Sequence, residues 1–202
     1  MSKLNCVSLA VKPYVMVSGN YGTGKTTVSA FLHRHLEGYQ LFSMNRARAE
    51  LGITEYRGED TPRVMRHLDT QVRRALESGS GVIVYRPHQS YVSRIISYSV
   101  AEDYGHQALV IECVCPREIA IARIVQRPPT SNNNPENFRG MERNREDMAS
   151  DFLNNLSLAS FVSHIRYDTG DVPKAVLLKA TETLRGFAEQ VIKLLNDFRP
   201  QQ

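Results

Sequence analysis

A glycine-rich segment near the N-terminus, GNYGTGKTT, has the residue types and the spacing of a loop that binds phosphate. Its core is Gly19-x-x-x-x-Gly24-Lys25-Thr26. Glycines let successive backbone N–H groups turn inward around an anion, because a Cβ would block those backbone angles. The lysine would reach the β- and γ-phosphates, and the Thr26 hydroxyl would bind Mg²⁺. The candidate nucleotide-binding residues are Gly19, Asn20, Tyr21, Gly22, Thr23, Gly24, Lys25, Thr26 and Thr27, and Lys25 is also a candidate catalytic group.

The flanking sequence places this loop between a strand and a helix. The apolar run YVMV precedes it, and the segment TVSAFLHRHL that follows has a helical pattern. The N-terminus of that helix would add a partial positive charge to the site. This context predicts that the chain binds a nucleoside triphosphate together with Mg²⁺. No base-reading motif of the NKxD kind is present, which favours ATP over GTP.

Two pairs of arginines bracket a polar segment in the second half of the chain. Arg123 and Arg127 lie four residues apart at the end of a predicted helix, and Arg139 and Arg143 repeat that spacing beyond it. The segment between them, PPTSNNNPENF, is dense in proline and asparagine and has no periodicity. One interpretation is a lid insertion at about residues 127–140 that excludes water and places positive charge on a transferring phosphoryl group. The alternative is a set of arginines that cap helix ends at the surface.

Short apolar runs alternate with longer helical segments along the 202 residues, which predicts one α/β domain over residues 1–202. We expect a doubly wound, parallel, five-stranded sheet flanked by helices, with the ligand at the carboxyl ends of its strands. The predicted strands are Tyr14–Val17, Gln40–Ser43, Val82–Tyr85, Ala108–Val114 and His164–Tyr167. The predicted helices are Lys25–Leu36, Asn45–Leu51, Thr61–Ser78, Ser90–Tyr104, Arg117–Gln126, Gly140–Asn155 and Pro173–Phe198.

Composition limits the class of protein. Hydrophobic residues make up 42% and charged residues 23% of the chain, and no apolar run is long enough to span a membrane, so a cytoplasmic protein is expected. The three cysteines, Cys6, Cys113 and Cys115, are interpreted as free thiols, with the last two on one face of a strand. The net charge is only +4, but 19 of the 25 basic residues are arginines, which suit bidentate contact with phosphate.

Nearly the whole chain resembles the small P-loop kinases of the polynucleotide-kinase-like and shikimate/adenylate-kinase-like group, which includes predicted kinases often described only as AAA-family ATPases. The resemblance rests on GNYGTGKTT, LFSMNRARAELGI, IARIVQRP and HIRYDTGD. It implies a P-loop NTPase fold in which Arg123 and Arg127 open a lid, and transfer of the γ-phosphate of ATP to a hydroxyl. By the same match, Asp168 and Thr169 would lie near the adenine, and Arg48 would hold the acceptor.

Two carboxylates of that family's pattern are missing from this chain. An aspartate is usual just after strand 2, where this chain has Asn45, and an acidic residue is usual at the end of strand 3, where it has Tyr85. An amide can hold the acceptor hydroxyl but cannot take its proton. His88 could supply a catalytic base, or it could simply pack in its loop. Otherwise the loose transition state needs no strong base, or the chain is a regulatory nucleotide-binding module or a simple NTPase.

Basic residues after strands 2 and 3 predict the acceptor site. Arg86 and Arg94 flank the turn after strand 3 and, with Arg46 and Arg48, would bind an anionic or hydroxyl-bearing acceptor such as a phosphorylated sugar, a nucleotide or a nucleic-acid end. Pairing with nearby acidic residues is their alternative role. The predicted substrate-binding residues are Asn45, Arg48, Arg86, Arg94, Arg139 and Arg143. The sequence indicates no membrane partner and does not define an oligomeric state.

Overall fold

The computed structural model describes residues 12–54, 58–87, 91–106, 108–126 and 162–168. Within them, five parallel strands form one sheet in the order β2-β3-β1-β4-β5. The strands are β1 (Tyr14–Gly19), β2 (Tyr39–Ser43), β3 (Gly81–Tyr85), β4 (Ala108–Val114) and β5 (Val162–Asp168). The helices are α1 (Lys25–His35), α2 (Met44–Glu50), α3 (Thr61–Glu77), α4 (Tyr91–Asp103) and α5 (Arg117–Val125), with a 3-10 turn at Gly58–Asp60.

The parallel α/β architecture predicted from the sequence is confirmed, and the observed bounds of these elements differ from the predicted ones by at most two residues. The predicted helices Gly140–Asn155 and Pro173–Phe198, and the predicted lid, lie outside the described residues. No helix in the described part of the chain combines the length and the apolar character that crossing a membrane requires.

The central strand β1 is apolar without alternation because helices cover both faces of the sheet. Tyr14 and Met16 pack into a core with α3 and α4, while Val15 and Val17 pack into a second core with α1. All four side chains are almost completely removed from water. A parallel strand with two covered faces requires such a continuous apolar run.

The sheet brings three chain segments to a single edge. Because parallel strands end at the same edge, the glycine loop after β1, helix α2 after β2 and the turn after β3 lie side by side. The strand register fixes this arrangement, since Tyr85 of β3 pairs with Val17 of β1 on one side and with Ser43 of β2 on the other. We refer below to this edge as the carboxyl edge of the sheet.

Cys113 and Cys115 are both buried free thiols, as predicted, but they do not share one core. Strand β4 ends at Val114, so Cys113 packs on the α1 side of the sheet, while Cys115 packs with Ala120 and Ile124 of α5. The prediction that both lie on one face of a strand is wrong because the strand stops between them. Removal from water raises the pKa of Cys113 to about 12.

This burial predicts that the folded protein resists thiol reagents. In a Cys6→Ser variant, Ellman's reagent at about pH 8 should react slowly with the native protein, because the thiolate is the reacting species. In concentrated guanidinium chloride, both remaining thiols should react at once. A full equivalent of rapidly reacting thiol per native chain would contradict the burial of Cys113 and Cys115.

Candidate functional site

The glycine loop contains three positive φ angles, a backbone conformation that residues other than glycine rarely adopt. Gly19, Gly22 and Gly24 have φ angles of 132°, 77° and 86°. Gly24 is the residue that precedes α1, and the helix begins at Lys25 without a side-chain cap. The N-terminal end of α1 therefore faces the loop, where its partial positive charge favours an anion. This arrangement fits a bound phosphate group.

Close backbone contacts fix the loop against the neighbouring strand and helix. A Cβ at Gly22 would collide with the carbonyl oxygen of Ala120 in α5, and a Cβ at Gly19 would collide with the carbonyl of Cys113 in β4. The ring of Tyr21 packs against the small apolar cluster that includes Ile124. Two of the three loop glycines are therefore needed for packing as well as for their φ angles.

Two cationic side chains reach the loop from different helices. The ammonium of Lys25 donates to the carbonyl oxygen of Asn20 at 2.6 Å and lies 5.7 Å from the centre of the Tyr21 ring. The guanidinium of Arg123, on α5, donates to the carbonyl of Gly22 at 3.3 Å. The structure thus brings together two residues that are about a hundred positions apart and that the sequence marks as catalytic candidates. Both cations are placed where a bound triphosphate would attract them.

Thr26 is exposed in the first turn of α1, and Thr27 is partly exposed behind it. Among the described residues, no group of three or more His, Cys, Asp or Glu side chains could hold a metal ion. The Thr26 hydroxyl could supply one oxygen to a Mg²⁺ ion whose other ligands come from a bound triphosphate.

Helix α2 presents Asn45 and Arg48 at the carboxyl edge. Ser43 begins the helix, because its hydroxyl accepts a hydrogen bond from the backbone N–H of Arg46 at 3.2 Å. One turn further along, the guanidinium of Arg48 donates to the side-chain oxygen of Asn45. The predicted acceptor residues Asn45 and Arg48 are therefore in direct contact. This contact uses one lone pair of the amide oxygen and leaves the NH₂ of Asn45 unengaged by Arg48.

Arg86 and Arg94 are buried. The sequence predicts them at an acceptor site beside the turn after β3, where exposed side chains would be expected. Arg86 is only 5% exposed, and its guanidinium donates to the Ser97 hydroxyl of α4 at 2.6 Å and contacts the Met65 sulfur of α3 at 3.0 Å. Arg94 on α4 is completely buried. Arg86 therefore links β3 to two helices beneath the carboxyl edge. The assignment of both arginines to the acceptor stays a prediction.

The charge of Arg86 is balanced by polar groups in the same core. Removal from water lowers the pKa of Arg86, while Tyr14 and Asp69 act in the opposite direction. The pKa of Asp69 is itself raised by burial, against the effect of Arg86 and Arg73. Burial also raises the pKa of Tyr14 to about 12. Arg86, Tyr14 and Asp69 therefore interact electrostatically beneath the carboxyl edge.

Sequence reasoning missed Glu112, a carboxylate next to the strand that leads into the loop. Glu112 lies in β4, is 8% exposed and pairs in register with Ser18, the residue before Gly19. The Ser18 hydroxyl in turn donates to the carbonyl of Pro87 at 3.1 Å. The signal was present in the sequence, since Glu112 is the single charged residue in the apolar run ALVIECV.

Several predicted site residues are not tested by the structure. Asp168 is the last residue of β5, where its backbone pairs with Val114, and nothing further is described for its side chain. The predicted residues that lie outside the described part of the chain are His88, Arg127, Arg139, Arg143 and Thr169.

The fold and the glycine loop together define a P-loop nucleotide-binding α/β protein. A family model described as an AAA domain, AAA_33, matches residues 15–150, which is more than half of the chain. The chain belongs to this family. Solved structures similar to the chain include a sugar kinase, a shikimate kinase and part of an RNA repair complex. No curated protein sequence matches the chain.

Solved structures with low sequence identity share the fold over almost their whole length. A candidate kinase from Chloroflexus aurantiacus j-10-fl is 16% identical, with a TM-score of 0.62 over 90% of this chain and 98% of its own. The shikimate kinase from Acinetobacter baumannii in complex with shikimate is 14% identical, with a TM-score of 0.53 over 93% and 96%. A sugar kinase from Janibacter sp. HTCC2649 is 17% identical, with a TM-score of 0.51 over 89% and 98%.

The close contact between Gly22 and α5 predicts that adding a methyl group at position 22 lowers the stability of the fold considerably. Gly22→Ala should destabilise the fold by about 1–2 kcal/mol through its left-handed backbone and by a further 1–3 kcal/mol, roughly, through the collision with Ala120. Gly52→Ala is the matched control, because Gly52 has a φ of 69° but nothing within 4 Å of the added Cβ. Urea unfolding should show the larger loss for Gly22→Ala, and equal losses would contradict the packing role.

Proposed function

We propose that the chain is an ATP-dependent phosphotransferase that moves the γ-phosphate to a hydroxyl of a small or nucleic-acid-derived acceptor. The observation that carries this proposal is the meeting of Lys25 and Arg123 at the carbonyls of the glycine loop. Two cations on one phosphate-binding loop suit a reaction in which negative charge shifts between phosphoryl oxygens. ATP and Mg²⁺ are the cofactors of this proposal, and the cytoplasm is its setting.

The donor side of the proposed reaction follows from the loop. The loop N–H groups and the N-terminus of α1 would hold the phosphates, and the Lys25 ammonium would contact the β- and γ-phosphates. Arg123 would leave the carbonyl of Gly22 for the triphosphate, which is the stronger acceptor because it is charged. Mg²⁺, held by Thr26 and the phosphates, would neutralise charge that develops during transfer.

The acceptor side of the proposal rests on α2. Asn45 and Arg48 are in contact at the carboxyl edge, where β3 separates β2 from the strand that leads into the loop. The Asn45 NH₂ would donate to the acceptor oxygen and so orient it, and Arg48 would attract an anionic group on the same acceptor. The sugar and shikimate kinases with the same fold support small hydroxylated compounds as the first acceptors to test.

One observation favours a second candidate function, a nucleotide-binding module or a simple NTPase without transfer. Asn45, in the first turn of α2, and Tyr85, at the end of β3, stand in place of the carboxylates that the resemblance implies. Glu112 supplies a buried carboxylate nearby, but it lies on β4, on the other side of the loop strand from β3. The two functions differ in whether a labelled phosphoryl group leaves ATP for a hydroxyl.

Transfer from γ-labelled ATP to a panel of sugars, shikimate, nucleosides and a 5′-hydroxyl oligonucleotide tests the proposed function. We expect a labelled product that Lys25→Ala abolishes, with ATP affinity lowered by about 100-fold because a charged hydrogen bond is lost. Lys12→Ala is the matched control, since Lys12 donates to the Gly79 carbonyl away from the loop. Tight ATP binding without product would indicate the regulatory module, and labelled free phosphate alone would indicate an NTPase.

Restoring a carboxylate at position 45 tests the placement of the acceptor. Asn45→Asp should raise kcat by roughly tenfold, because a carboxylate can accept the acceptor's proton, while the Kd for ATP stays unchanged. Asn45→Ala should lower kcat, since the orienting amide is lost. If neither substitution changes kcat or the pH dependence of turnover, Asn45 does not contact the acceptor.

A further inference from the structure

The outward face of α3 carries a line of arginines that the proposed site does not use. Arg63, Arg66 and Arg74 are exposed, and only Thr70 and Glu77 share their stripe of the helix. We call Arg63, Arg66 and Arg74 the α3 stripe. Its ends are eleven residues apart, which corresponds to about 16 Å along the helix. Within the described part of the chain, none of the three guanidinium groups has a hydrogen bond or an ion pair.

Four acidic residues near the α3 stripe interact with groups outside it. Partial burial raises the pKa of Asp69, against the effect of Arg86 and Arg73. Asp103 pairs with Arg73 at 3.0 Å, and Glu77 accepts a hydrogen bond from the Tyr104 hydroxyl at 2.8 Å. Glu50 accepts from three side chains, Arg46, His67 and Gln71. Acidic residues flank both ends of the stripe, since Glu59 and Asp60 directly precede α3 and Glu77 ends it. The positive charge is therefore least opposed in the middle of the stripe, at Arg66.

The stripe ends at a polar groove of about 240 Å³. Arg74 and Arg46 line this groove together with Gln40 and Gln71. Arg46 is tied to Glu50 at 2.9 Å, but its side chain is still 63% exposed. The groove extends the line of cationic donors from α3 towards the edge strand β2.

We propose that the α3 stripe and this groove bind the phosphate backbone of a nucleic acid. Arginine forks match phosphate oxygens, and about 16 Å of helix spans roughly five phosphates of one strand. A lipid surface is disfavoured because the stripe contains no large apolar side chain for insertion. An acidic protein partner is disfavoured for the same reason, since protein interfaces have an apolar or aromatic centre.

The direction of α3 connects this surface to the candidate site. The helix precedes β3 in a parallel crossover, so its first turn, with Arg63, lies at the carboxyl edge and its last turn lies at the opposite edge. A strand bound along the stripe would therefore have one end near α2 and the glycine loop. This inference rests on the proposed function only for its consequence, that the acceptor hydroxyl belongs to a nucleic-acid end.

Fluorescence anisotropy with a labelled single-stranded oligonucleotide, in the absence of ATP, tests the surface. Wild-type protein should bind with a salt-dependent Kd, and the combined variant Arg63→Gln, Arg66→Gln and Arg74→Gln should bind at least about tenfold more weakly. The slope of log Kd against log salt should fall by roughly 0.7 for each lost phosphate contact. The melting temperature should stay unchanged, because these side chains are exposed.

Single substitutions supply the matched control. Arg66→Gln and Arg34→Gln each remove one exposed charge, but α1 with Arg34 covers the other face of the sheet. Only Arg66→Gln should lower the salt slope. Equal effects of the two variants, no binding by the wild-type protein, or binding to anionic vesicles in place of the oligonucleotide would overturn the proposal. Because the binding assay contains no ATP, it can succeed even if phosphoryl transfer is not observed. In the same way, phosphoryl transfer to a small acceptor can be observed even if the oligonucleotide does not bind.

Discussion

The backbone contact between the glycine loop and α5 is the constraint on which the candidate site depends. Gly22 approaches Ala120 so closely that no side chain fits between them, and Gly19 approaches Cys113 in the same way. The path of the loop, the end of β4 and the start of α5 are thereby fixed relative to one another. Because Lys25 begins α1 and Arg123 lies within α5, this contact also sets the distance between the two cations that would share a triphosphate.

A buried polar network supports the neighbouring part of the carboxyl edge. Removing a guanidinium from water is costly unless its donors are satisfied, and the Arg86 guanidinium is held by Ser97 with Tyr14 and Asp69 close by. Such a network has a defined geometry, because each hydrogen bond requires a particular direction. Through Arg86, the turn after β3 is therefore attached to both α3 and α4.

The sequence predicts those features that depend on neighbours along the chain. The loop, the apolar strands and the helix predicted to begin at Asn45 each follow from local spacing, and the structure has their bounds within one or two residues. The burial of Arg86 and the separation of Cys113 from Cys115 depend on contacts between distant segments, which local patterns do not encode. Glu112 could be predicted only in part. Its charge stands out in an apolar strand, but its position beside Ser18 follows only from the pairing of β1 with β4.

The contact between Asn45 and Arg48 bears on how transfer could proceed without the usual aspartate. Arg48 donates to the side-chain oxygen of Asn45, and an amide at this position can direct an acceptor oxygen but is too weak a base to remove its proton. A loose transition state places little demand on proton removal, because bond formation to the acceptor is slight when the bond to the leaving group is already broken. Catalysis then depends on alignment and on positive charge around the phosphoryl group, and the described site supplies that charge through Lys25 and Arg123.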